Sequence, residues 1–241
     1  MLSKTEIEAK NKEFAGADPE VVVEWAFEKF GEGLVATSSF QTQSIPLLFV
    51  ISKVAPNSDV LFLDTGFHFP ETHAFLDKLT SKLRIRIKRI AYEDGHEVFK
   101  EKYGELHVSN PDKCCYLNKV APLRKALRGY DTWITGIRRD QSATRRDTPI
   151  FSLDTGNILK ICPMVDWTHE QVLDCINEHN LPIHPLFDEG YPSIGCAPCT
   201  SAVTDQDDPR LGRWKGLNKT ECGLHPVHPP LPEKETRDDD Q

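Results

Sequence analysis

Short apolar runs alternate with stretches of helical spacing along this chain, and that alternation limits its fold more than any other feature. Leu34-Val35-Ala36, Val60-Leu61-Phe62-Leu63, Ile85-Arg86-Ile87 and Thr132-Trp133-Ile134 read as strands, and Ile45 to Val54 and Glu71 to Leu83 as helices. Ahead of them, Asp18-Pro19 supplies an N-cap and a first helical position. Val22, Trp25, Ala26 and Phe30 recur on one face, and Gly31 stops the run. Strands separated by helices imply an α/β fold, a parallel sheet wound by helices. At 241 residues with 39% hydrophobic composition, one large domain with a tail is expected. In such sheets ligands sit beyond the carboxyl ends of the strands, which here lead into Thr37 to Ser44, Asp64-Thr65-Gly66 and Gly136 to Arg146.

A net charge of -8 argues against nonspecific nucleic-acid binding, so the cluster Arg138, Arg139, Arg145 and Arg146 points to a local anionic target, a small phosphorylated ligand. No apolar stretch is long enough to cross a bilayer, and the first residues resemble neither a secretory nor a transit signal; a cytoplasmic protein is expected. Seven cysteines, an odd number with adjacent members, make a poor disulfide framework and suit metal binding or catalysis in a reducing compartment. The expected organisation is a nucleotide- and cluster-binding region over 1–204, a catalytic C-terminal segment over 205–228 and a disordered, acidic tail over 229–241.

The Thr37 to Ser44 loop offers backbone N–H groups, hydroxyls and a helix N-terminus to a phosphate. It lacks the Gly-Lys-Ser/Thr ending of a nucleoside-triphosphate loop, which favours a smaller phosphate. Cys114-Cys115 and Cys196-Ala197-Pro198-Cys199 together favour a metal. The adjacent pair is unlike a zinc knuckle, so an iron-sulfur cluster is the better reading. Consecutive helical residues point about 100° apart, so both thiols reach one cluster only if the helix is distorted or ends there. Lys119, one turn beyond Cys115, is placed to sit between an anionic cluster and an anionic substrate. Cys222, with Arg210, Arg213, Lys215 and Lys219 upstream and His225 following, lies among cations that favour the thiolate. Gly212, Gly216 and Gly223 would let its segment close and reopen. Cys162 and Cys175 read as small core residues, and the remaining histidines as packing or surface groups.

As a set, Ser38-Ser39-Phe40, Leu63-Asp64-Thr65-Gly66, Cys114-Cys115, the Arg138 to Arg146 loop, Tyr191 through Cys199 and Glu221-Cys222-Gly223-Leu224-His225 resemble the sulfonucleotide (PAPS/APS) reductases. The likeness is to their iron-sulfur, thioredoxin-dependent branch. The resemblance implies an adenine nucleotide α-hydrolase-like fold with a mobile C-terminal segment. It implies reduction of adenosine 5'-phosphosulfate (APS) to sulfite and AMP through an S-sulfocysteine on Cys222, in sulfate assimilation and cysteine biosynthesis. Thioredoxin or glutaredoxin would be the reductant. By the same resemblance, Lys119, Arg210, Arg213 and His225 would hold the sulfate and phosphate, and Ser38, Leu63, Gly136 and Arg146 would contact the nucleotide. Cys114, Cys115, Cys196 and Cys199 would bind a [4Fe-4S] cluster. A homo-oligomer is left open. The alternatives are the same chemistry on 3'-phosphoadenylyl sulfate (PAPS), an RNA sulfur transferase of the ATP-pyrophosphatase class, and a zinc-stabilised nucleotide-binding module.

Overall fold

The computed structural model describes residues 2–203 and 209–225. The sheet has six strands: β1 (Leu34–Thr37), β2 (Asp59–Leu63), β3 (Arg86–Ile90), β4 (Thr132–Thr135), β5 (Phe151–Leu153) and β6 (Leu159–Ile161). Their order is β3-β2-β1-β4-β6-β5, all pairs parallel except β5 with β6. Helices α1 (Lys4–Glu13), α2 (Pro19–Phe30), α3 (Ile45–Val54), α4 (Pro70–Thr80), α5 (Gly95–Tyr103), α6 (Leu106–Ser109), α7 (Pro111–Cys115), α8 (Ala121–Leu127) and α9 (His169–Glu178) complete it. The expected parallel, helix-wound sheet is present. The hairpin of β5 and β6 was not read from the sequence, because two three-residue strands are too short to show a period.

Side chains on the central strands alternate between two cores. Leu34, Ala36, Val60, Phe62 and Ile134 face the larger one, whereas Val35, Leu61 and Trp133 face a smaller one closed by Leu123 and Leu127 of α8. With both faces covered, the strands read as continuous apolar runs and not as polar-apolar alternation. The register of Val35 on both Asp59 and Trp133 keeps the two sets apart.

The helix ends follow local chemistry. The Asp18 carboxylate accepts from Glu20 N at 2.9 Å, Pro19 opens α2, and Gly31 follows it at φ 50°. Helix α1 was not expected, since no apolar run marks it, yet its signal is present in the spacing of Ser3 and Glu6: Glu6 N donates to the serine hydroxyl and Ser3 N to the glutamate carboxylate. Asn11 on this helix donates to Phe151 O at 2.8 Å and accepts from Phe151 N at 2.9 Å, which satisfies both backbone groups of a residue on edge strand β5.

Strand β1 lies between β2 and β4, so the chain leaves it in opposite directions on its two sides. A crevice at the carboxyl ends of β1 and β4 is the binding position such a sheet creates. No helix among the described residues is long and apolar enough to cross a membrane. The expected tail, 229–241, and His228 lie outside the described residues, as does the expected boundary at 204/205.

Candidate functional site

A cleft opens at this position, lined after β1 by Ser38, from β2 by Leu63 and after β4 by Gly136. The loop after β1 is held by its own polar groups. The Ser38 hydroxyl accepts from Phe40 N at 3.0 Å and donates to Ser44 Oγ, which in turn donates to Gln41 O at 2.7 Å. Phe40 adopts a left-handed φ of 56° while its ring is fully buried against Phe62, so a strained backbone residue is anchored in the core. The loop thus holds its shape before any ligand arrives.

Four cations face the cleft: Lys119, Arg145, Arg210 and Arg213. Arg146, the position the resemblance assigns to the nucleotide, lines a neighbouring cavity instead, and Arg145 is the member of that pair in the cleft. The other two loop arginines serve the fold. Arg138 is buried, donating to Asp140 at 3.0 and 3.2 Å and to Trp167 O at 3.2 Å, and Arg139 pairs with Asp166. Arg213 lies over the Trp214 ring at 4.5 Å and against Gly195, where a Cβ would meet its guanidinium at 2.2 Å; only glycine leaves it room.

Cys222 lines the same cleft, half-buried on a strap that is better packed than its polar sequence suggests. Trp214 is 3% exposed, and its backbone N–H donates to Cys199 O at 3.0 Å. Lys219 pairs with Asp112, while Leu224 packs against the smaller core. The His225 ring stacks on Trp133 at 5.2 Å and 16°, and the indole N–H donates to Thr37 Oγ1 at 2.8 Å. Burial, reinforced by Lys160, Arg145 and Arg210, holds the His225 pKa well below the usual histidine value, so this ring is neutral. Its Nδ1 is buried without a hydrogen-bond partner. Glu221 accepts from Arg145 Nε and Nη2 at 2.8 Å each and from Arg210 at 3.3 Å. Burial works against its charge, but these arginines outweigh it and lower its pKa.

Cys114, Cys115, Cys196 and Cys199 line a second, smaller cavity. The distortion that the adjacent pair requires is there: helix α7 ends at Cys115 and continues into a π-helical turn over Tyr116–Val120 before α8. The opposing turn is docked on the loop after β2, with Ala197 N donating to Phe67 O at 2.7 Å and Thr65 Oγ1 lying 3.3 Å from Cys196 Sγ. Asn118 Nδ2 donates to Cys114 O at 3.1 Å. Burial pushes the Cys114 thiol up to about 12, and the other three thiols add to it; Cys115 rises to about 11, chiefly by burial. Four soft donors in one cavity, three buried and Cys199 partly so, are the chemistry of a thiolate-bound metal centre, which would draw off their protons. As the side chains stand, no three His, Cys, Asp or Glu residues among those described form a closed ligand set for a metal ion.

Lys119 lines both cavities and is buried. Burial disfavours its charge, but Cys196, Cys222 and Cys115 outweigh that and raise its pKa. His68, read from the sequence as a packing group, also reaches the cleft, with Nε2 donating to Leu63 O at 2.8 Å and a pKa lowered by burial to about 4. Gln141 was likewise not singled out for the cleft, and Arg145 only as one of four loop arginines expected to meet an anion; both sit in irregular turns where spacing carries no directional signal. Cys162 is fully buried as expected, whereas Cys175 is only partly so, lying toward the edge of the face that Val172 and Ile176 bury.

The family model of the phosphoadenosine phosphosulfate reductase domain matches residues 33–202, from β1 through the Cys196 to Cys199 turn. The chain belongs to this sulfonucleotide reductase family. It is 44% identical over 210 residues to an adenosine 5'-phosphosulfate reductase of Geobacillus kaustophilus, covering 85% of this chain and 88% of that protein. It is 42% identical over 229 residues to a phosphoadenosine 5'-phosphosulfate reductase of Gloeobacter violaceus, covering 93% and 95%. The crystal structure of a phosphoadenylyl-sulfate reductase from Candida auris, in complex with phosphate, superposes with a TM-score of 0.72 at 32% identity over 84% of this chain and 98% of that one. The fold is that of the family, with the mostly parallel sheet expected of an adenine nucleotide α-hydrolase-like protein.

Proposed function

We propose that this protein reduces adenosine 5'-phosphosulfate to sulfite and AMP, with Cys222 as nucleophile. The observation that carries the reading is a single thiol, Cys222, in a cleft at the sheet's switch point with Lys119, Arg145, Arg210 and Arg213 around it. The adenosine would lie along Ser38, Leu63 and Gly136, with its phosphosulfate toward the cations. The Cys222 thiolate attacks the sulfur, the S–O bond to phosphate breaks, and AMP departs with that electron pair, leaving Cys222 as an S-sulfocysteine. An external dithiol then attacks Cys222 Sγ; sulfite leaves as the mixed disulfide forms, and the second external thiol resolves it. Substrate and nucleophile are both anionic, so the cations act where negative charge accumulates. His225 is neutral and serves as a hydrogen-bond partner.

Cys222 is 23 residues beyond the next cysteine in sequence, and the other six lie in the second cavity, in the core or on α9. This supports a reductant from outside the chain, thioredoxin or glutaredoxin, in a cytoplasmic setting. Cys114, Cys115, Cys196 and Cys199 would hold a [4Fe-4S] cluster, which when bound supplies a fixed electrostatic charge next to Lys119. Relatives named for APS and for PAPS match about equally well; the paired cysteines favour APS, since reductases confined to PAPS generally lack them.

Sulfur-labelled APS given to the anaerobically purified protein without thiol tests this. Label retained on wild type and absent from Cys222→Ser is expected. Equal labelling of the two, or sulfite formation undiminished in the variant, would refute it.

A further inference from the structure

Glu221 is bonded to the groups that the substrate would need. Its carboxylate takes the Nε and Nη2 donors of Arg145 at 2.8 Å each, the Arg210 guanidinium at 3.3 Å, and the Ser142 and Thr144 hydroxyls at 3.3 Å each. The side chain is 16% exposed, as is Arg210, and Arg145 is 12% exposed, so solvent does little to weaken the contact. Both arginines line the nucleotide cleft. A guanidinium fork matches one carboxylate or one pair of phosphate oxygens, and it cannot serve both at full strength. Left uncompensated, two such shielded cations would also be costly.

The carboxylate is joined directly to the nucleophile. Glu221 and Cys222 are consecutive, so their Cα atoms stay about 3.8 Å apart whatever the strap does. Beyond them Gly223 takes φ 83°, a conformation open to glycine that marks a pivot. The strap has separate anchors on both sides: Lys219 pairs with Asp112, and Leu224 and His225 pack on the Trp133 core. Arg210 also donates to Thr220 O at 2.7 Å, so releasing the Glu221 carboxylate frees a short span, 221–223, and leaves the rest of the strap docked.

We propose that Glu221 is a built-in competitor for the substrate's anionic group, occupying the Arg145 and Arg210 fork in the empty enzyme and holding Cys222 down until the incoming phosphosulfate takes the fork over. This rests on the nucleotide reading of the cleft given above, and it adds a coupling: filling the anion site loosens the nucleophile.

The test uses AMP as the probe with Glu221→Gln, which keeps shape and removes charge, and Glu221→Ala as a second variant. Titration calorimetry measures AMP affinity. Alkylation of Cys222 by uncharged iodoacetamide, without nucleotide and followed at that peptide by mass spectrometry, measures access. Rates taken across pH separate a changed thiolate fraction from a changed limiting rate. The expectation is AMP binding about tenfold tighter in Glu221→Gln, with a higher limiting alkylation rate in both variants. AMP affinity that is unchanged or weaker overturns the proposal, as does a limiting rate equal to wild type. A protein that binds AMP but retains no sulfur label on Cys222 would remove the catalytic reading and leave this competition to be judged on its own two measurements.

Discussion

Replacing His184 with asparagine should change how stability depends on pH, and the size of the change follows from where the ring sits. His184 is fully buried, edge-on to Phe75 at 5.2 Å. Its Nδ1 accepts from Leu186 N at 3.3 Å, which leaves Nε2 as the donor to Thr72 Oγ1 at 3.1 Å. Burial lowers its pKa from 6.5 to about 4, the Glu71 carboxylate opposing only weakly. Because the folded value lies below the unfolded one, the unfolded chain binds more protons in the window between them. This ring's contribution is complete above pH 6.5 and is lost as pH falls toward 4. Between pH 7 and pH 5 the loss is about 2 kcal/mol, equivalent to about 4–8 °C in Tm for a chain of this size. His184→Asn keeps an acceptor for Leu186 N but gives up the Thr72 bond and the Phe75 contact, a cost of about 1–3 kcal/mol at pH 7. Urea melts of both proteins at the two pH values give the double difference, in which His68, His225 and every other titrating group cancel. The gap between wild type and variant should shrink by about 2 kcal/mol at pH 5. A gap constant to within about 0.5 kcal/mol would refute the assignment of a buried neutral ring.

Lys119→Ala removes the ammonium shared by the two cavities and should lower kcat/KM for APS by about 10²–10³-fold, with melting little changed; turnover equal to wild type would remove Lys119 from the proposed chemistry. Asp59, at the start of β2, accepts from Tyr130 Oη at 2.7 Å and pairs with Arg86 and with Lys88 at 2.6 Å. Burial raises its pKa, but these donors outweigh burial and leave it below 3.8. Asp59→Asn should cost about 1–3 kcal/mol at neutral pH. That cost should fade as pH falls through the folded value, where the wild-type carboxylate is also neutral. A cost independent of pH in acid denaturation would show the charge to be irrelevant.

What the sequence disclosed, and what it did not, divides along physical lines. The central strands β1, β2 and β4 and the flanking helices were legible because burial on both faces writes continuous apolar runs, edge strand β3 through Ile85 and Ile87 alone, and α2 because Asp18, Pro19 and Gly31 mark its ends. The strain beside Cys115 was legible as well, since two adjacent thiols on a regular helix point apart. Inside the Arg138 to Arg146 loop the side-chain directions are set by successive tight turns. Nothing in the spacing says that Arg145 faces the cleft while Arg146 faces away and Arg138 is buried under Asp140. The strap misleads for a related reason. Its packing rests on single residues, Trp214 bonded to Cys199 and Leu224 and His225 packed on the Trp133 core, and a segment with no period of its own looks loose. Glu221 stands out in the sequence only as part of the motif around Cys222, because its partners lie 76 and 11 residues away.

The π-helical turn at Tyr116–Val120 has one further consequence, for how this region can change in length. Its wider winding sets the angle between Cys114 and Cys115, which face the thiol-lined cavity, and Leu123 and Leu127, which face Trp133. Deleting one residue between them would rotate one group relative to the other by about 100°, so the protein would keep its cysteine face or its sheet contact but not both. Substitutions can be absorbed there, whereas insertions and deletions cannot. The turn at 154–157, at the far edge of the sheet, carries no such phase relation and is where added residues should be tolerated.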